Sequence, residues 1–224
     1  MFDYVLSMII DKILSSSMKP RILAHRGVWN SEFGIQNLEK NSISAITRAQ
    51  EYGFGLETDI RNSGSEIVIC HDAFTSSSLT IEEVVKLKFN GVVAYNVKSD
   101  GLSEKLSILK IDHDHFYFDC SIPETLIYRD KALQVASRLS EIEPLLTTLE
   151  GFVWVDSFYS EWWNSEKFYN LLSENKNTKF IFVSPELHGR DFLSNIEPYL
   201  ALLRNFSNTY ICSDFPLTIV NMLS

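Results

Sequence analysis

Short apolar runs, most of them ending on a polar residue and each followed by a segment of helical period, recur along the chain and leave few architectures open. Arg21–Ala24, Gly55–Ile60, Val92–Lys98, His115–Asp119, Leu133–Ser137, Phe152–Asp156, Lys179–Ser184 and Tyr210–Ser213 read as strands. Glu66–Cys70 is a further extended run after the turn Asn62-Ser63-Gly64. Helices are expected over Asn41–Tyr52, Thr80–Lys88, Ser103–Leu109, Pro123–Asp130, Pro144–Leu149, Glu166–Glu174 and Asp191–Arg204, with a last one from Leu217. Capping chemistry marks several starts: Asn41 or Ser42, Thr80 three residues before Glu83, and Pro123 in a first turn.

Such alternation makes neighbouring strands parallel and lays helices over the sheet. About eight units within 224 residues favour closure into a single compact (β/α)8 TIM barrel. An open doubly wound sheet of order 3-2-1-4-5 is the alternative if strands are miscounted. In a barrel, chemistry gathers at the C-terminal ends of strands. His25, Glu57, Asp59, Asn96, Lys98, Asp119, Asp156, Glu186 and Asp214 all fall there, some of them as ordinary caps of the next helix.

The net charge of −9 disfavours a nucleic-acid partner, which needs a basic surface. An anionic small molecule is still admissible where local cations attract it. Three scattered cysteines, Cys70, Cys120 and Cys212, argue against a disulfide framework and for a reducing, cytoplasmic compartment, and read as small buried hydrophobes. No apolar run approaches the ~18 residues that span a bilayer. Residues 1–17 read as an amphipathic helix packed on the barrel, or else lying on a membrane or partner, with residues 18–224 forming the barrel. Met18 stands just before the first strand, so a start there would leave the barrel whole.

The richest stretch runs from Ile22 to Asp72. Glu57 and Asp59 are two apart on a strand and so share a face. Two hard carboxylates near His25 and His71 suit a divalent cation beside an acid/base pair. The ordered set Ile22-Leu23-Ala24-His25-Arg26-Gly27, Asn41-Ser42, Gly55-Leu56-Glu57-Thr58-Asp59 and Val68-Ile69-Cys70-His71-Asp72 resembles the glycerophosphodiester phosphodiesterase family. The likeness extends to Tyr95-Asn96-Val97-Lys98 and Cys212-Ser213-Asp214-Phe215-Pro216.

That resemblance implies a metal-assisted phosphodiesterase on a TIM barrel. His25 and His71 would be general acid and base. Glu57 and Asp59, with Asn96 at a third ligand position, would hold Mg²⁺ or Ca²⁺, and Arg26 and Lys98 would contact the phosphate. Imidazoles titrate near neutrality when unperturbed, and guanidinium matches phosphate geometry. Two departures stand out. Lys40 replaces the glutamate that the family carries before its Asn-Thr, and Asn96 replaces a carboxylate. A metal shell of Glu57, Asp59 and Asn96 carries −2 rather than −3, which predicts weaker metal binding. The short chain after His71 leaves no room for a sizeable insertion, so an open cleft is expected, with a glycerophosphodiester or a phosphodiester-linked glycan as substrate. Two alternatives stay open: a catalytically weakened phosphodiester-binding protein, and a lyase that forms a cyclic phosphate.

Other features have weaker claims. Asp112-His113-Asp114-His115 resembles a metal site by composition but precedes a strand, which places it on the stability face of a barrel. His188 either lines the mouth or caps a turn. Phe158, Tyr159, Trp162 and Trp163 read better as core packing or a partner contact than as a pocket wall. Cys70 points to the opposite strand face from His71. No Gly-x-Ser-x-Gly, phosphate-binding glycine loop or Cys-x-x-Cys is present.

Overall fold

The computed structural model describes residues 16–73, 79–144 and 151–223. The expected N-terminal helix and the expected helix Pro144–Leu149 lie almost wholly outside them. The described strands are β1 (Ile22–His25), β2 (Gly55–Ser63), β3 (Glu66–Ile69), β4 (Val93–Val97), β5 (His115–Phe118), β6 (Ser137–Leu139), β7 (Phe152–Val155), β8 (Lys179–Val183) and β9 (Thr209–Ser213). All except β3 run parallel, in the order β5-β4-β2-β1-β9-β8-β7-β6. The two ends of that order meet through one parallel bridge, Tyr117 to Val135. There the Tyr117 N–H donates to the Gln134 carbonyl and the Ala136 N–H to the Tyr117 carbonyl, both at 2.8 Å. The sheet is therefore a nearly closed eight-stranded barrel, and the open 3-2-1-4-5 order is excluded.

The strand β3 is not a stave. It folds back antiparallel on the outer part of β2 through the turn that contains Gly64. The strand expected at Leu133–Ser137 forms slightly later, at Ser137–Leu139, because Val135 makes only the closing bridge.

Helices α1 (Ile43–Glu51), α2 (Ile81–Val85), α3 (Ser103–Leu106), α4 (Ile122–Asp130), α5 (Glu166–Glu174), α6 (Phe192–Asn195), α7 (Glu197–Asn205) and α8 (Pro216–Leu223) cover the staves. Their starts follow from side-chain caps. Ser42 accepts from the Ala45 N–H, Ser121 from Glu124, Ser165 from Phe168 and Asp191 from Ser194. One helix expected over Asp191–Arg204 is two, because Pro198 has no N–H to continue the ladder and can only open α7.

Alternation along the strands sorts apolar side chains into two layers. Leu23, Ala94, Phe116, Trp154, Ile181 and Cys212 fill the barrel interior, while Leu56, Tyr117, Val155 and Phe182 face outward beneath the helices. The interior is narrow at Gly55, where a Cβ would lie 2.7 Å from the Val92 carbonyl oxygen. Cys70 and Cys212 are buried, whereas Cys120 is only half-buried. The Asp112–His115 run is at the N-terminal end of β5, where the His113 ring pairs with the Tyr95 hydroxyl at 3.1 Å. No group of three acidic, cysteine or histidine side chains among the described residues is arranged to hold a metal, there or elsewhere. No described helix is long and apolar enough to cross a membrane.

Candidate active site

The chain leaves β1 through a turn whose geometry fixes the first functional side chains. Arg26 has φ +60° and donates its N–H to the Glu57 carbonyl at 2.8 Å. Gly27 has φ +92°, and a Cβ there would sit 2.5 Å from the Ala45 carbonyl carbon. Only glycine allows that approach of the turn to the start of α1. It leaves His25 and Arg26 at the mouth.

His25 Nδ1 is 2.6 Å from Asp214 Oδ1. Asp214 lies just after β9 and is itself gripped: its N–H donates to Glu186 Oε1 at 2.9 Å, its carbonyl accepts from Asn30, and Lys40 Nζ is 3.2 Å from its Oδ2. Burial alone would raise its pKa. The hydrogen bond and charge of His25, with Lys40, instead hold it below the usual carboxylate value. A carboxylate on Nδ1 selects the tautomer with its proton there and leaves Nε2 as the basic nitrogen. Nε2 stands 3.8 Å from Glu57 Oε2.

Glu57 and Asp59 do share the inner face of β2, and both are buried. Asp59 Oδ2 is 2.8 Å from Arg26 Nε and accepts from Asn41 Nδ2 at 2.8 Å, and Asn41 accepts in turn from the Thr58 hydroxyl. Asn41 is thus a site residue, and Ser42 alone is the cap. Burial, reinforced by the neighbouring Asp59 charge, pushes Glu57 up to about 7. Three buried oxygens, Glu57 Oε2, Asp59 Oδ1 and Asn96 Oδ1, have no hydrogen-bond donor. Buried oxygens in that state cost free energy unless something electropositive satisfies them. Their chemistry fits a hard divalent cation.

The far wall is a clasped network of two cations and three carboxylates. Lys98 Nζ lies 3.5 Å from Asp59 Oδ1 and 3.5 Å from Asp119 Oδ2. Arg138, which the sequence did not single out, reaches Asp119 at 2.8 Å, Glu143 at 3.0 Å and Asp156 at 3.5 Å. Asp156 Oδ1 is 3.3 Å from His188 Nε2. Between these walls opens a cleft of about 330 Å³, with Phe118 and Trp154 stacked 4.0 Å apart in its lining. Phe158 lines it as well and packs on His188, whereas Trp163 is core and Tyr159 is 75% exposed.

Of the residues expected at the site, His25, Arg26, Glu57, Asp59, Asn96 and Lys98 come together. His71 does not join their contacts. It stands on the loop after β3, half exposed, with its ring paired to Asp72 at 2.7 Å. That loop is anchored to the site by the Cys70 N–H, which donates to the Asp59 carbonyl at 3.0 Å.

No protein-family model matches the chain, and no curated protein is similar to it at a significant level. Among solved structures, a glycerophosphoryl diester phosphodiesterase from Parabacteroides distasonis is similar in fold, with a TM-score of 0.54 at 14% identity. The match covers 96% of this chain and 90% of that one.

Proposed function

We propose that the protein is a metal-dependent phosphodiesterase that hydrolyses a glycerophosphodiester or related phosphodiester by acid–base catalysis from His25 and His71. The observation that carries this reading is a set of three buried oxygens without a hydrogen-bond donor, Glu57 Oε2, Asp59 Oδ1 and Asn96 Oδ1, on the neighbouring strands β2 and β4, with Glu57 3.8 Å from a histidine that Asp214 orients. Glu57, Asp59 and Asn96 would hold Mg²⁺ or Ca²⁺. When bound, the ion would neutralise charge on the non-bridging phosphate oxygens.

The chain's own residues do the rest. Arg26 and Lys98 bring positive charge to the phosphate position, and Lys40 adds more beside Asp214. His25 Nε2 removes a proton from water as its oxygen attacks phosphorus, while Asp214 stabilises the imidazolium that forms. The phosphorus–oxygen bond to the leaving group breaks, and the departing alkoxide would take its proton from His71, on the loop that the Cys70 N–H ties to Asp59. Release of alcohol from a chromogenic phosphodiester in Mg²⁺ or Ca²⁺ tests the whole scheme. His25→Ala should lower turnover by roughly 10²–10⁴.

A second reading has its own observation. Arg26 and Lys98 both pair with Asp59 and balance its charge within the chain, which would suit a protein that binds phosphodiesters without turning them over. No turnover with either metal, together with saturable binding of the same diester, would select it.

A further inference from the structure

The cleft reaches across the barrel mouth. Its lining includes His25, Glu57 and Asn96 on one side and Asp156, Phe158 and His188 on the other. In the order of strands round the barrel, β4 and β8 are four places apart, and so are β2 and β7. In a ring of eight that is the full width, so the loops after β7 and β8 face the ends of β2 and β4.

The second side is as firmly built as the first. Asp156, just after β7, is buried; its N–H donates to the Leu139 carbonyl at 3.0 Å and its carbonyl accepts from Trp162 Nε1 at 2.8 Å. His188 ends the short turn after β8, Pro185–His188, which Gly189 closes at φ +73°. Its Nε2 lies 3.3 Å from Asp156 Oδ1, and its ring packs steeply on Phe158 with centroids 4.9 Å apart. With Nε2 turned to that carboxylate, Nδ1 is the nitrogen left for a substrate atom. This is the His25–Asp214 pairing repeated with the two ring nitrogens exchanged.

His71 is placed differently. It stands half exposed after β3, the strand that folds back on β2, and it does not line the cleft. In phosphoryl transfer the attacking and leaving oxygens are roughly in line. Water activated at His25 therefore drives a leaving oxygen away from the β1–β2 side. An alcohol lodged in the cleft then departs towards β7 and β8, where His188 stands.

We propose that His188 is a further catalytic residue: for an alcohol that departs into the cleft it, rather than His71, supplies the leaving-group proton. This rests on the phosphodiesterase reading above. The phosphorus–oxygen bond breaks with its electron pair going to the alcohol oxygen, and that oxygen takes the Nδ1 proton of the His188 imidazolium. The neutral ring keeps its Nε2 proton towards Asp156.

Two diesters that share a glycerophosphate and differ in the departing alcohol test this, one an ethyl and the other a p-nitrophenyl ester. Nitrophenol leaves as a stable anion, whereas ethoxide needs a proton. With Mg²⁺ or Ca²⁺, His188→Gln should lower kcat on the ethyl ester by roughly 10²–10⁴ and on the nitrophenyl ester by about tenfold at most. Across a series of alcohols, the rate of the variant should fall more steeply with alcohol basicity than that of the wild type. Equal losses on the two esters would make the Asp156–His188 pair structural, and no loss would make it idle; either overturns the assignment and leaves the phosphodiesterase reading standing. A split found in His71→Gln and not in His188→Gln returns the proton to His71. Failure of the wild type on both esters overturns the phosphodiesterase reading and this assignment with it.

Discussion

Under the proposed metal-dependent reading, cation affinity turns on Asn96. Its amide oxygen is buried without a donor, on the strand position paired with Asp59, and as a proposed ligand it would add no charge. Asn96→Asp should therefore tighten Mg²⁺ binding by about tenfold or more in calorimetry. No gain would mean that the three oxygens do not share an ion. Asp214 makes the complementary case. Asp214→Asn should lower kcat by roughly 10²–10⁴ with little change in KM, because it would leave the His25 tautomer unfixed. A fall in KM and kcat together, or none, would make Asp214 only a structural partner. Both residues were legible as polar endings of apolar runs. What the sequence did not carry is pairing across the barrel, since His25 and Asp214 are 189 positions apart.

At the scale of elements, sequence reading worked where chemistry is local and failed where it is not. Ser42 and Thr80 announce their helices because a cap is satisfied within three residues. Arg138 went unnoticed because its strand is three residues long and its partners belong to other loops. Glu32 escaped for the same reason: it accepts from the backbone N–H groups of Leu217 and Thr218 and so joins the loop after β1 to the start of α8. Burial pushes its pKa up to about 7 despite those bonds. A carboxyl whose folded pKa lies above its unfolded one favours folding when protonated. Its contribution is present below about 4.5, declines as pH rises, and is lost above about 7. Glu32→Gln, neutral throughout, should match wild type near pH 4 and melt about 2–4 °C higher at pH 8. Equal melting temperatures at both pH values would show that the helix terminus fully stabilises the charge.

The whole barrel is held by unequal seams. The β2–β4 ladder pairs five residues in register, from Leu56 with Val93 to Ile60 with Val97, whereas β5 meets the β6 side through one bridge and two hydrogen bonds. Local opening costs least where few backbone bonds must break together. Hydrogen exchange should therefore find the Tyr117 and Ala136 amides opening well before those of Thr58 and Asp59. Arg138 is the side-chain clasp over that seam, since it joins Asp119 after β5 to Glu143 after β6 and Asp156 after β7. Arg138→Met would leave three carboxylates facing one another without their shared cation. We expect a loss of about 1–3 kcal/mol in denaturant unfolding, with faster exchange concentrated at the seam. Uniform acceleration across all strands would mean that the barrel unfolds as one unit and that the seam has no independent mobility.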